Sequence, residues 1–182
     1  MTDDALELSL TEADHAHFRD VDERYRRLHT DPEGCRPMII IHPPVPGLPT
    51  WEERLADPRV MLRAELATLR PHLELRDDRV ATVRVQFGTA QIAAAFGCRM
   101  HIPENNLPAA GDHVLARARD VFDLKPPALD AGWYGKLAEW TALWKRWLPA
   151  GVHLQHPDIQ SAFNSAHLIR GNDILTDFYD DP

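Results

Sequence analysis

Three short apolar runs, separated by segments with helical spacing, constrain this chain more than any other feature. The first, 38–41, reads Met38-Ile39-Ile40-Ile41, with three β-branched residues in a row and no polar alternation. Such a run suits a strand buried on both faces, the usual setting of a parallel sheet. The second, 80–87, alternates: Val83, Val85 and Phe87 fall on one face, Arg84 and Gln86 on the other. The third, 152–156, is shorter. Strands that alternate with helices imply right-handed crossovers and a parallel sheet, so the expected class is α/β.

The helical segments carry their own start and stop signals. Thr11, with Glu12 and Asp14 behind it, opens a helix over 11–29 whose stripe is Phe18, Val21, Tyr25 and Leu28. It precedes every strand and so forms an N-terminal arm. Asp31-Pro32-Glu33-Gly34 is a turn, and Thr50 caps a short one. Asp57-Pro58 starts a helix with Leu62, Leu66, Leu69 and Leu73 on its buried side. Asp77-Asp78 reads as a turn. Residues 91–96 form a small-residue helix ended by Gly97, and 112–122 a further one. Over 130–148, Leu137, Trp140, Trp144 and Trp147 make a stripe that reads as the buried face of a crossover helix. Asp158 is expected to cap 159–170, which Gly171 breaks, and 173–179 is the last helix. Prolines punctuate the loops 42–47 and 101–112.

Composition narrows the function classes. The chain of 182 residues is 44% hydrophobic and 26% charged, which suits one folded domain and excludes disordered and collagen-like chains. No apolar run reaches the roughly 20 residues of a membrane helix, and Met1-Thr2-Asp3-Asp4 lacks the features of a signal peptide. The expected compartment is the cytoplasm. Twenty basic against 28 acidic residues give a net charge of -8 with no basic stripe, so nucleic acid is not an expected partner. Two cysteines, Cys35 and Cys98, support neither a disulfide scaffold nor a cysteine zinc site. Glycine-rich phosphate loops, the Gly-x-Ser-x-Gly elbow and His-Glu-x-x-His are all missing.

In a parallel α/β fold, ligands bind at the carboxyl ends of the strands. That rule selects His42 after the first run, then Gln86, Phe87 and Gly88, then His156, Asp158 and Gln160. His42 is a candidate acid, base or metal ligand; the plainer alternative is a histidine hydrogen-bonded under its proline loop. His153 and His156 point to opposite faces of one strand, which argues against a shared metal. Asp158 reads first as a helix cap and second as a catalytic acid. Asn164, His167 and Arg170 follow at helical spacing, either as a solvated face or as substrate contacts. Arg84 and Arg170 suit a substrate carboxylate.

Two stretches carry a family resemblance. One runs Asp77-Asp78-Arg79-Val80-Ala81-Thr82-Val83-Arg84-Val85-Gln86-Phe87-Gly88-Thr89 and continues to Phe96-Gly97-Cys98. The other runs Gln155-His156-Pro157-Asp158-Ile159-Gln160-Ser161-Ala162-Phe163-Asn164 through Ile169-Arg170-Gly171 to Asp180-Asp181-Pro182. Together they resemble the N-terminal half of the uroporphyrinogen decarboxylase superfamily, which also holds cobamide-dependent methyltransferases. The resemblance implies part of a (β/α)8 TIM-type barrel over 35–182, preceded by a helical extension over 1–34. It departs from the decarboxylases in three places. The loop at 42–47 has no arginine for substrate carboxylates. Gln86-Phe87-Gly88-Thr89 stands where an aspartate is expected, and Leu168 stands near an expected tyrosine.

The resulting expectation is an enzyme segment acting on a tetrapyrrole-type or methyl-corrinoid-type small molecule by decarboxylation or methyl transfer. The expected catalytic residues are His42 and Asp158, and the substrate contacts Arg84, Gln86, Phe87, Gly88, Gln160, Asn164 and His167. No cofactor is expected within the chain itself; zinc or a corrinoid would come with a C-terminal half of the barrel. A homodimer or a corrinoid protein are the partners this implies, with no nucleic acid and no membrane. Two alternatives stand beside it: a non-catalytic half-barrel that binds a partner through its sheet edge, and a small flavodoxin-like enzyme with about five parallel strands. An eight-unit barrel takes about 250 residues, so 182 reads as an incomplete one.

Overall fold

The computed structural model describes residues 8–180. The acidic start and the closing Asp181-Pro182 lie outside the described residues. Half of the chain is helical and 5% is strand, so this is a mixed, mainly helical fold with few strands.

Helix α1 spans Glu12–Thr30. Thr11 caps it, and Asp14 closes a capping box by bonding back to the Thr11 N–H and hydroxyl. Phe18 and Val21 of the expected stripe are buried. Helix α2, Trp51–Ala56, opens on the same device, built from Thr50 and Glu53. Helix α3, Pro58–Leu75, starts on Asp57 with Pro58 at its first position. Leu62, Leu66, Leu69 and Leu73 are all buried and form the centre of the main core. Helix α5, Tyr134–Trp147, lays Trp140 and Trp144 against α3. The Trp144 indole N–H donates to the Pro58 carbonyl at 3.0 Å, which satisfies the one polar atom of a fully buried ring.

The parallel sheet is small. Strand β1, Thr82–Val83, pairs in parallel with β4, His153–Leu154, with Thr82 opposite His153 and Val83 opposite Leu154. Flanking bonds from His153 N–H to the Ala81 carbonyl and from Gln155 N–H to the Val83 carbonyl, both 2.8 Å, extend the contact. The crossover between them contains α4 (Gln91–Ala95), a short antiparallel pair of β2 (Met100–His101) and β3 (Ala109–Ala110), and α5. After β4 come α6, Ala162–Arg170, and α7, Ile174–Asp180.

Several expectations are corrected. Residues 38–41 are extended but join no strand ladder among the described residues, and Ile39 and Ile41 are 59% and 48% exposed. Carboxylates replace the missing strand: Ile39 N–H donates to Asp78 at 2.7 Å and Ile41 N–H to Asp77 at 2.9 Å. Asp77 and Asp78, expected in a turn, are therefore buried. The alternation over 81–87 holds, with Ala81, Val83, Val85 and Phe87 buried, but only two of its residues enter the ladder. The loop 101–112 contributes to the β2–β3 pair, and 112–122 forms only a 3-10 turn over Ala118–Asp123. Asp158 does not cap α6; Ser161 does. Two parallel strands among the described residues show neither a TIM barrel nor a five-stranded flavodoxin-like sheet.

Candidate functional site

The two parallel strands end side by side, and the residues that follow them form a polar cluster. Arg84 leaves β1 on the face opposite Val83 and Val85. Its guanidinium meets the Asp158 carboxylate at 2.6 Å, tying the segment after β1 to the segment after β4. The pair is partly solvated, with the side chains 27% and 44% exposed. Exposed pairs of this kind contribute only about 0.2–1 kcal/mol. A competing anion can exchange with Asp158 at little cost.

Beside this pair lies a polar recess of about 190 Å³ bounded by Glu65, Arg79, Thr82, Arg84, Gln86 and Gln155. Glu65 projects from α3, one turn from the buried Met61 on one side and the buried Leu69 on the other. Burial raises its pKa, against the opposing pull of the Arg84 backbone N–H and of the Arg54, Arg84 and Arg79 charges. A carboxyl held toward its neutral form can donate a hydrogen bond to an anion that a carboxylate would repel.

A second layer orders the loops around the cluster. Gln91 donates to the Gly88 carbonyl at 2.8 Å and to the Asp158 carbonyl at 3.3 Å, and its own carbonyl oxygen is buried without a partner. Gln160 donates to the Thr89 hydroxyl at 2.8 Å, and Asn164 donates to Gln160 at 2.8 Å. Gly88 adopts φ +71°, and a Cβ there would sit 2.6 Å from the Pro108 carbonyl, so glycine is required for the turn out of β1.

The expected site residues thus separate. Arg84 and Gln86 line the recess, Asp158 pairs with Arg84, and Gln160 and Asn164 support the loop beside it. Phe87 is fully buried, with its ring 5.4 Å from Trp133 and 4.9 Å from Trp140; it belongs to the core and does not line the recess. His167 bonds to Asn172 at 2.8 Å, across the end of α6. His42 is exposed and stands edge-on to His72, with ring centroids 5.9 Å apart. His72 in turn bonds Asp77 at 2.7 Å, so His42 belongs to a different cluster from Asp158. Arg170 is held by Asp173 and Asp177 at 3.0 and 2.9 Å.

Sequence reasoning missed Glu65, Arg79 and Gln155. The signal for Glu65 was present: an acidic residue amid the buried stripe of a helix needs a reason. Gln155 was visible too, as the first residue after β4. Among the described residues, no group of three or more His, Cys, Asp or Glu side chains is arranged to hold a metal ion, and no helix is long and apolar enough to cross a membrane. Compared with known proteins, the chain matches no family model, no curated protein and no solved structure.

Proposed function

We propose that this chain is the N-terminal portion of a uroporphyrinogen decarboxylase-like barrel enzyme, and that its recess holds a carboxylate arm of a small-molecule substrate. The observation that carries this reading is the exchangeable Arg84–Asp158 pair at the carboxyl ends of two parallel strands. Ligands of open and closed parallel sheets bind at that end. A recess of about 190 Å³ fits one acid side arm rather than a whole macrocycle, since sites for drug-sized ligands run from about 300 Å³ upward. Arg79 and Arg84 supply charge, and Glu65, whose pKa burial raises, lines the same recess.

The substrate carboxylate takes the place of Asp158 on Arg84. Asp158 is thereby released beside the bound arm. In a decarboxylation the carbon–carbon bond breaks, CO2 leaves, and the carbon keeps the electron pair and takes a proton from water. The methyl-transfer branch needs zinc or a corrinoid. The described residues offer no group of three or more His, Cys, Asp or Glu side chains to hold the zinc.

Binding of a carboxylate-rich tetrapyrrole and of a methyl-corrinoid to the full chain tests the reading. Tetrapyrrole binding that weakens about 10- to 100-fold in Arg84→Ala is expected, the range of one charge-assisted hydrogen-bond pair. Failure of both compounds to bind, or binding indifferent to Arg84, overturns it.

A second reading has its own observation. Extended residues 38–41, with Ile39 and Ile41 exposed, suit a binding module that adds a partner strand. Light scattering separates the two, because strand addition between copies requires a dimer and the enzyme reading does not.

A further inference from the structure

A different recess, on the other side of the Asp77–Asp78 corner, gathers arginines. It lies between the C-terminal half of α1 and the segment after it. It measures about 340 Å³ and shares no lining residue with the strand-end recess. Arg24, Arg27 and Arg36 line it, with Cys35 and Asp20.

The guanidiniums there are unequally partnered. Asp78 takes Arg36 in a two-point fork, 2.9 Å at each nitrogen, and Arg24 at 2.8 Å. One buried carboxylate therefore serves two guanidiniums. Asp20 reaches Arg24 at 3.2 Å from a side chain that is 66% exposed, a contact that solvent weakens. Arg27 makes no ion pair among the described residues. The Arg24 Nε–H is buried and without an acceptor. Asp31 brings a third carboxylate to the edge of the recess at Gly34, so the charges balance and the opening for an anion is the unpaired Arg27.

We infer that this recess binds a phosphorylated small molecule, with Arg24, Arg27 and Arg36 as its anchors. Guanidinium forks match phosphate oxygens in pairs. A tetrahedral phosphate presents oxygens in several directions and can engage forks arriving from α1 and from the 35–38 segment together; a planar carboxylate meets one fork well. The volume leaves room for more than one phosphate or for the organic part of a monoester.

Cys35 is a built-in reporter, because it lines the recess and is partly accessible while Cys98 is buried. The experiment follows labelling of Cys35 by N-ethylmaleimide in the full chain, with Cys35→Ser as the blank. Inorganic pyrophosphate is expected to slow labelling saturably. Arg27→Gln is expected to raise the midpoint about tenfold, the loss of one charged anchor worth about 1.4 kcal/mol. Arg27 anchors nothing else among the described residues, so this variant keeps the fold. Sodium chloride at matched ionic strength is expected to leave labelling unchanged. Equal protection by the salt, protection by citrate as strong as by pyrophosphate, or a midpoint unmoved in Arg27→Gln overturns the assignment.

Discussion

Two acidic centres, the Asp77–Asp78 corner and the strand-end carboxylates Glu65 and Asp158, do opposite work. At the Asp77–Asp78 corner every carboxylate oxygen has a donor. Asp78 takes Arg24, Arg36 and the Ile39 N–H, and Asp77 takes His72 and the Ile41 and Arg79 N–H groups. Burial pushes the Asp77 pKa up, but the bonds from Ile41, His72 and Arg79 outweigh it and hold the carboxyl below its ordinary value. At the strand ends the opposite holds. Asp158, itself nearly half exposed, has the one partner Arg84, and burial raises the Glu65 pKa despite nearby arginines. A satisfied carboxylate is fixed in place and supports the fold. An under-satisfied one beside a recess can exchange partners, which a binding site needs.

The largest test of this contrast is Asp78→Ala. It strips a buried carboxylate from two arginines and frees the 38–41 segment, so denaturant unfolding should show a loss of about 3 kcal/mol. A loss below about 1 kcal/mol would place the corner among ordinary surface pairs and remove the distinction. His72→Phe comes next. It keeps the ring volume but removes one donor to Asp77, at an expected cost of about 1–2 kcal/mol by the same measurement. Asp158→Ala should be the mildest of the three, under about 1 kcal/mol, because its partner stays solvated. A larger loss would make the strand-end pair structural.

The pH profile sharpens the comparison further, because the two centres have opposite signs. Asp77 has a folded pKa below its ordinary 3.8, so it contributes stability above that pH, and this is lost as pH falls through the folded value. Glu65 has a folded pKa above its ordinary 4.5, so its contribution is full below that pH and is lost as pH rises through the folded value. Thermal melts of Glu65→Gln should therefore lose the decline expected above pH 4.5 in the parent chain and keep the acid-side fall. Parallel curves for the two proteins would contradict the Glu65 assignment.

Some of the fold was legible because its causes are local. Thr11 with Asp14 and Asp57 with Pro58 sit within four residues of the groups they satisfy, and α1 and α3 start where those residues place them, while Thr50, read as the cap of a short turn, opens helix α2. The leucine stripe of α3 and the tryptophans of α5 follow from helical spacing alone. The candidate site was legible in part. Arg84 and Asp158 were visible as polar residues after strands, but their pairing spans 74 positions. Asp158 was misread as a cap because a helix start and a distant arginine compete for the same carboxylate. Residues 38–41 were misread as a strand because β-branched composition does not say whether a ladder partner is present.

The sequence by itself determined the starts of α1 and α3, the buried faces of α3 and α5 and the alternating faces of 81–87, since each depends on neighbours within a few turns or pleats. Only the tertiary structure decided which charges are satisfied. Asp78 meets Arg36 from 42 residues away, and Glu65 meets Arg84 across a helix–strand contact. Whether a carboxylate becomes a clasp or a site depends on how many donors packing brings to it, and that number is not written in the spacing of nearby residues.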